Sequence, residues 1–255
     1  MKYKKLFFAI IIVIPPYFYI TKQNSKKLRL RIISYNINSE IDWSQKKDKI
    51  TKILKSFNAD IICLQEVAHK DHARELSKEL NLHWNENAWH EGQMTILCKT
   101  PILQYLVIDV PDSYYNALVA IKTTPDIWVA SIHLWSKDYK IDDSERIYEL
   151  TFILKKLKEL NAKKIIIAGD FNSLDNTKVS KLLEQKGYID THKNKTWSKG
   201  TWMPANYAER IDRIHFKGDF KILNGKVIDH NDFNWLRPYG WPSGNDHRLV
   251  LTDLE

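Results

Sequence analysis

At 255 residues with 44% apolar content, the chain exceeds a small domain and suffices for one α/β domain with a sizeable core. Its two cysteines, Cys63 and Cys98, sit inside apolar runs and exclude a disulfide framework or a cysteine metal site; they read as buried small hydrophobes. The net charge of +8 is local: residues 1–31 hold eight cations and no acid, and removing those eight from 39 basic residues leaves 31, equal to the 31 acidic ones, so the pI of about 9.2 says little about nucleic acid, while a net of zero is compatible with a local basic groove.

Taken in chain order, three lysines precede an apolar run at 6–20, broken by Pro15-Pro16 and followed by no small-x-small cleavage site. The run falls short of the ~20 residues of a bilayer helix. Residues 1–27 are therefore expected to form a signal peptide or signal anchor with a basic flank, making the protein membrane-anchored or secreted and extracytoplasmic. In that reading this segment, not the catalytic surface, confers membrane affinity.

Residues 28–255 form the expected catalytic domain. Residues 28–36 read as a strand; 46–57 as a helix with Ile50, Ile53, Leu54 and Phe57 on one face; 60–64 as a buried strand; and 72–80 as a helix. Strands follow at 94–98, 103–110, 118–123 and 127–133, then a long amphipathic helix at 143–160 that Asp142-Asp143-Ser144 can cap. A strand at 164–168, a helix at 177–185 and strands near 210–217, 219–227 and 248–253 complete the chain. Unalternated Ile and Val runs predict sheets covered on both faces.

Polar residues stand where these runs end: Asn36, Gln65-Glu66, the Gly169-Asp170-Phe171-Asn172 string, and Asn245-Asp246-His247 near the C-terminus. Strand ends present side chains to a crevice, so four distant segments predict one site. Hard oxygen donors such as Glu66 and Asp170 suit Mg²⁺ or Mn²⁺, and a neighbouring histidine suits phosphoester chemistry. Taken singly these residues have plainer readings: an Asx turn at Asp170–Asn172, a satisfied core histidine at His133, or an Asp212 that pairs with Arg210 or Arg213.

The ordered set SYNI at 34–37, LQEV at 64–67, GQMTILCKTPI at 92–102, SIHLWS at 131–136, GDFN at 169–172, ERIDRI at 209–214 and NDHRLV at 245–250 resembles the endonuclease/exonuclease/phosphatase superfamily, the DNase I-like metal-dependent phosphoesterases. The resemblance implies a four-layer αββα sandwich in a single catalytic domain, and hydrolysis of phosphoester bonds with Mg²⁺ or Mn²⁺. Glu66 is the expected principal metal ligand, with Asn36 a ligand or its hydrogen-bonded partner. The resemblance further implies that Asp170 positions and helps deprotonate the water, Asn172 donates to the transition state, His247 is a base or phosphate-stabilising imidazole oriented by Asp212, and His133 faces the phosphate, with the proton acceptor open between Asp170 and His247. Asp246 is either a second metal ligand or a partner of His133.

Asn245 stands where the family usually has serine, replacing a hydroxyl contact by an amide. The signatures of the abasic-site endonucleases and of the 5-phosphatases are not matched. Trp197, Trp202, Met203 and Pro204, with Trp235, Tyr239, Trp241 and Pro242, predict two aromatic loops at the catalytic mouth. The expected substrate is a phosphodiester, most directly of the nuclease type, with a phospholipid head group or phosphoinositide as the alternative and a non-catalytic binding module on the same fold as a third reading. A monomer is expected.

Overall fold

The computed structural model describes residues 29–255 except 41, 114–116, 125, 138–141, 203–208 and 229–244. The expected membrane segment therefore lies outside the described residues, as do Met203, Pro204, Trp235, Tyr239, Trp241 and Pro242. None of the helices among the described residues is long and apolar enough to cross a membrane.

Two six-stranded mixed sheets carry the fold. The first contains β1 (Leu30–Asn36), β2 (Ile61–Gln65), β3 (Trp89–His90), β4 (Met94–Cys98), β11 (Ile222–Val227) and β12 (Val250–Leu254), ordered β11-β12-β1-β2-β4-β3. The second contains β5 (Gln104–Asp109), β6 (Ala117–Thr124), β7 (Ile127–His133), β8 (Lys164–Asp170), β9 (Ile189–Asp190) and β10 (Asp212–Lys217), ordered β5-β6-β7-β8-β10-β9. Helices α1 (Trp43–Phe57) and α2 (Lys70–Leu80) pack on the outer face of the first sheet, and α3 (Ser144–Glu159) and α4 (Lys178–Gln185) on that of the second.

The apolar runs explain this layering. Successive side chains of a strand point to opposite faces, so Ile32 enters the core between the sheets while Ile33 packs under α1 with Ile50, Ile53 and Leu54. Neither face can be polar, which is why β1 does not alternate. Each such buried aliphatic side chain contributes about 1.5–3 kcal/mol relative to exposure. Cys63 and Cys98 are buried, unpaired members of the central core, as expected of small hydrophobes.

The helix ends follow local chemistry. Asp42 accepts from Ser44 N at 2.9 Å to cap α1, which stops at the left-handed Asn58. At α3 the sequence reading is refined: Asp142, not Asp143, accepts from Ser144 N at 2.9 Å. Asp143 instead reaches Arg146 Nε at 3.1 Å and Lys178 N at 3.2 Å, tying the start of α3 to the start of α4. The two-residue strands β3 and β9 carry too short a pattern to be seen in the sequence.

Candidate active site

Parallel pairing fixes the site. The β1–β2 register sets Asn36 beside Gln65, and the β7–β8 register sets His133 beside Asp170. Antiparallel β10 places Asp212 opposite Asp170. Gln65 Nε2 donates to Ser131 Oγ at 3.0 Å and joins the sheets just beneath, so four strand ends face one crevice. His247 arrives from the segment before β12, its backbone paired with that of Trp202.

Asn36 is the centre of one half. Its Nδ2 donates to Glu66 Oε1 at 2.8 Å and to Asp170 Oδ2 at 3.2 Å. Glu66 sits at φ 58, a left-handed backbone that costs a non-glycine residue on the order of 1–3 kcal/mol and persists only where its surroundings impose it. The other carboxylate oxygen, Oε2, accepts from Ser39 N at 2.8 Å and Ser39 Oγ at 3.1 Å. Burial pushes the Glu66 carboxyl up, but His133, His247, Asn36 and Ser39 together hold it below its ordinary value. Asp246 Oδ1 accepts from Asn38 Nδ2 at 2.8 Å.

The other half is a carboxylate–imidazole cluster. His247 Nδ1 lies 3.0 Å from Asp212 Oδ2 and 3.8 Å from Asp170 Oδ2, so it hydrogen-bonds the first and only neighbours the second. His133 Nε2, the more open imidazole, lies 3.7 Å from Asp170 Oδ2. Asp170 Oδ1 accepts from Asn172 N at 2.8 Å, and Asn172 Nδ2 donates to Leu134 O at 2.9 Å, leaving the amide one further N–H. Burial and the Asp212 carboxylate push Asp170 up to about 6. Burial alone would lower His247, yet the carboxylates of Asp212 and Asp170 outweigh it and raise the imidazole well above 6.5.

All eight predicted residues are thus brought to one crevice. Asp212 faces His247, while Arg210 pairs with Asp175 and Asp190. Sequence reasoning missed Asn38, Ser39, Lys46 and Thr201. Lys46 is buried on the inner side of α1, where Nζ donates to Ile37 O at 3.1 Å and also to Asn38 O, fixing the loop that carries Asn38 and Ser39. Burial lowers it to about 8, with Glu66 opposing. Thr201 Oγ1 accepts from Asp212 N at 3.0 Å. Asn245 is more than a substitute for a hydroxyl: Nδ2 donates to Asn36 O at 2.7 Å and Oδ1 accepts from His247 N at 3.1 Å, clamping the two halves together. Of the expected mouth aromatics, Trp197 packs instead against Gly225 of β11, where a Cβ would strike its indole.

The donor set fits a divalent cation. Four carboxylates, the buried Asp170 and Asp212 and the half-buried Glu66 and Asp246, stand around two imidazoles. A ligand atom from each of Asp170, Asp212 and His247 falls within 4.8 Å of the others. Those three are engaged with one another, as the Glu66 oxygens are with Asn36 and Ser39 and Asn36 Oδ1 is with Asn38 N. Glu66 and Asn36, all oxygen and amide, suit a hard ion better.

Behind the site a second buried polar layer supports it. Arg213 is fully buried, donating to Ser180 Oγ at 2.7 Å and to Ser173 O, with its guanidinium 5.4 Å from the Phe171 ring centre. Beside it burial holds His192 and His215 each down to about 4. The unfolded chain protonates these imidazoles near 6.5 and the folded chain only near 4, so the unfolded state gains protons first and stability falls as pH drops across that window. Each imidazole contributes about 3 kcal/mol as an upper figure. Melting temperature is expected to fall steeply from pH 7 to 4, and His215→Leu should flatten that slope; an unchanged slope would show that His215 is not held neutral.

Two mixed sheets with flanking helices and a polar site at converging strand ends define a DNase I-like phosphoesterase fold. The sequence matches the Endonuclease/Exonuclease/phosphatase family over residues 33–243, and the chain belongs to that family. Similar solved structures include humanized D. rerio TDP2, at 19% identity, 89% of this chain, 99% of that chain and a TM-score of 0.67. An endonuclease/exonuclease/phosphatase from Bacteroides vulgatus is similar at 17% identity over 90% of this chain and 99% of that one, TM-score 0.67. ANGEL2, a 2′,3′-cyclic phosphatase solved with adenosine-2′,3′-vanadate, is similar at 16% identity over 98% of this chain and 99% of that one, TM-score 0.69. No curated protein sequence matches the chain.

Proposed function

We propose that the protein is a divalent-metal-dependent phosphodiesterase, using Mg²⁺ or Mn²⁺, that acts on a nucleic-acid-type phosphodiester. The observation that carries this is the juxtaposition of Asp170, His247 and Asp212 with the Glu66–Asn36 pair in one crevice. Glu66 and Asn36 would hold the ion, with Asp246 steadied by Asn38 as a further donor. When bound, the ion offsets the negative charge that develops on the phosphoryl oxygens.

The chain's own groups divide the proton work. At pH 7 a carboxyl pushed up to about 6 is still roughly 90% ionised, whereas an imidazole held well above 6.5 stays protonated. Asp170 is thus the acceptor for the proton of the attacking water, and its raised value makes it a stronger base than an ordinary carboxylate. His247, fixed by Asp212, stays cationic beside the phosphate and stabilises the developing charge. His133 faces the same space, and the remaining N–H of Asn172 donates to a phosphoryl oxygen. The similarity to ANGEL2, a 2′,3′-cyclic phosphatase solved with adenosine-2′,3′-vanadate, supports a nucleotide-like substrate over the phospholipid alternative. Residues 1–27 attach the protein to a membrane or direct it across one.

Purified full chain with Mg²⁺ is expected to hydrolyse one of plasmid DNA, RNA or a nucleoside 2′,3′-cyclic phosphate, and not sphingomyelin or phosphoinositides. Turnover of none of these would favour a binding module. Glu66→Gln should raise the Mg²⁺ concentration needed for half-maximal activity by ~10-fold or more, with recovery at saturating metal; a loss that metal does not restore would remove Glu66 from the ligand set.

A further inference from the structure

Every strand that delivers a site residue points its other end away from the mouth. β1 and β2 run parallel, as do β7 and β8, and all four finish at the crevice. Leu30 therefore starts β1 at the opposite end, so residues 1–28 join the domain there. Seven residues of β1 at ~3.3 Å each set that end roughly 20 Å from Asn36.

The same end carries a groove of about 730 Å³ between α3, α4 and the ends of β8 and β10 of the second sheet. Its floor is apolar, built from Leu154, Leu157, Ile165 and Tyr188. Lys155, Lys158, Lys186 and Lys217 rim it, all exposed and, among the described residues, none in an ion pair with a carboxylate; Lys217 Nζ donates to Lys186 O at 2.9 Å. The acidic neighbours are already engaged, Glu159 by Lys156 and Glu184 by Lys193. Helices α3 and α4 both end at this groove, and their dipoles bring about half a negative charge each, which four cations outweigh. A charge-neutral domain thus holds a locally basic groove.

We propose that this lysine-rimmed groove seats an anionic phospholipid of the bilayer that the N-terminal segment enters, with phosphate on the lysines and acyl carbons on the apolar floor. The inference rests on the membrane reading above for residues 1–27. Charge complementarity and the point where the chain joins the domain select this occupant, since lysines add attraction only near an anionic surface. A consequence is that the catalytic mouth faces away from the bilayer. Lipids of that membrane are then out of reach, and a soluble phosphodiester is the accessible substrate.

The test is acylation of lysines in the full chain mixed with vesicles of phosphatidylcholine alone or with phosphatidylglycerol, alongside flotation of the same samples. Flotation with both vesicle types is expected, because residues 6–20 insert by the hydrophobic effect. Lys155, Lys158, Lys186 and Lys217 should react at least ~5-fold more slowly with anionic vesicles only, while Lys178, exposed at the start of α4 on the catalytic side, should not change. Lys186→Gln with Lys217→Gln should restore much of the reactivity of Lys155 and Lys158 without altering hydrolysis. Flotation with equal lysine reactivity in both vesicle types would overturn the groove and leave the membrane segment standing; protection without flotation on neutral vesicles would sink the segment and support the groove. Equal protection by inorganic phosphate, or by RNA without vesicles, would replace the lipid by a free anion or a nucleic acid and overturn the proposal.

Discussion

Asp170→Ala and His247→Ala are each expected to lower turnover at least ~10²-fold while cooperative unfolding is retained. Removal of Asp170 deletes the proposed proton acceptor and the carboxylate that accepts from Asn172 N, and leaves Asn36 Nδ2 with Glu66 as its partner. Removal of His247 leaves Asp212 buried without the imidazole that hydrogen-bonds it, so some loss of stability accompanies the loss of rate. Asp170→Asn keeps the shape and separates the two effects. Because the two groups neighbour each other and share the proposed proton work, the double variant should lose far less than the product of the single losses. Steady-state rates on a chromogenic phosphodiester, with thermal melts of each variant, measure this. A single variant within a few-fold of the parent would remove that residue from the chemistry.

Much of this site was legible because its residues sit at the ends of apolar runs, where one-dimensional order already implies a shared crevice. Asn36, Glu66, His133, Asp170 and Asp212 are each one step from a run that the eye can follow. Lys46 shows the limit. In sequence it is one of several polar residues on an amphipathic helix, and only the packing of α1 turns it inward onto the carbonyls of residues 37 and 38. Asn245 looked like a lost hydroxyl, and its bridging of Asn36 and His247 depends on two segments 209 residues apart. The lysine rim was hidden in the same way: a sum over residues 32–255 cancels to zero, and only the packing of α3 and α4 on the second sheet brings Lys155, Lys158, Lys186 and Lys217 around one groove.

Gly169→Ala tests whether strand pairing, and not the catalytic side chains alone, sets the geometry. Gly169 lies opposite Ile132 in the parallel β7–β8 pair, and an added Cβ would fall far inside contact with the Ile132 carbonyl oxygen. That neighbour is backbone within a six-stranded sheet and has no rotamer to change. Relief requires the two strands to part or slide, which moves the next pair in register, His133 and Asp170. Overpacking of this kind costs about 3 kcal/mol or more, and a chain of this size loses ~2–4 °C per kcal/mol, so a fall of ~10 °C in melting temperature is expected. Misplacement of reacting groups by ~1 Å can cost 10²-fold in rate, so kcat per folded molecule should fall as well. Gly225→Ala is the control: its Cβ meets the Trp197 indole on β11, away from the crevice, and should lower stability while leaving kcat near that of the parent. If both alanine variants lose stability but neither loses rate, the β7–β8 contact is structural only and the position of Asp170 is set by its hydrogen bonds to Asn36 and Asn172.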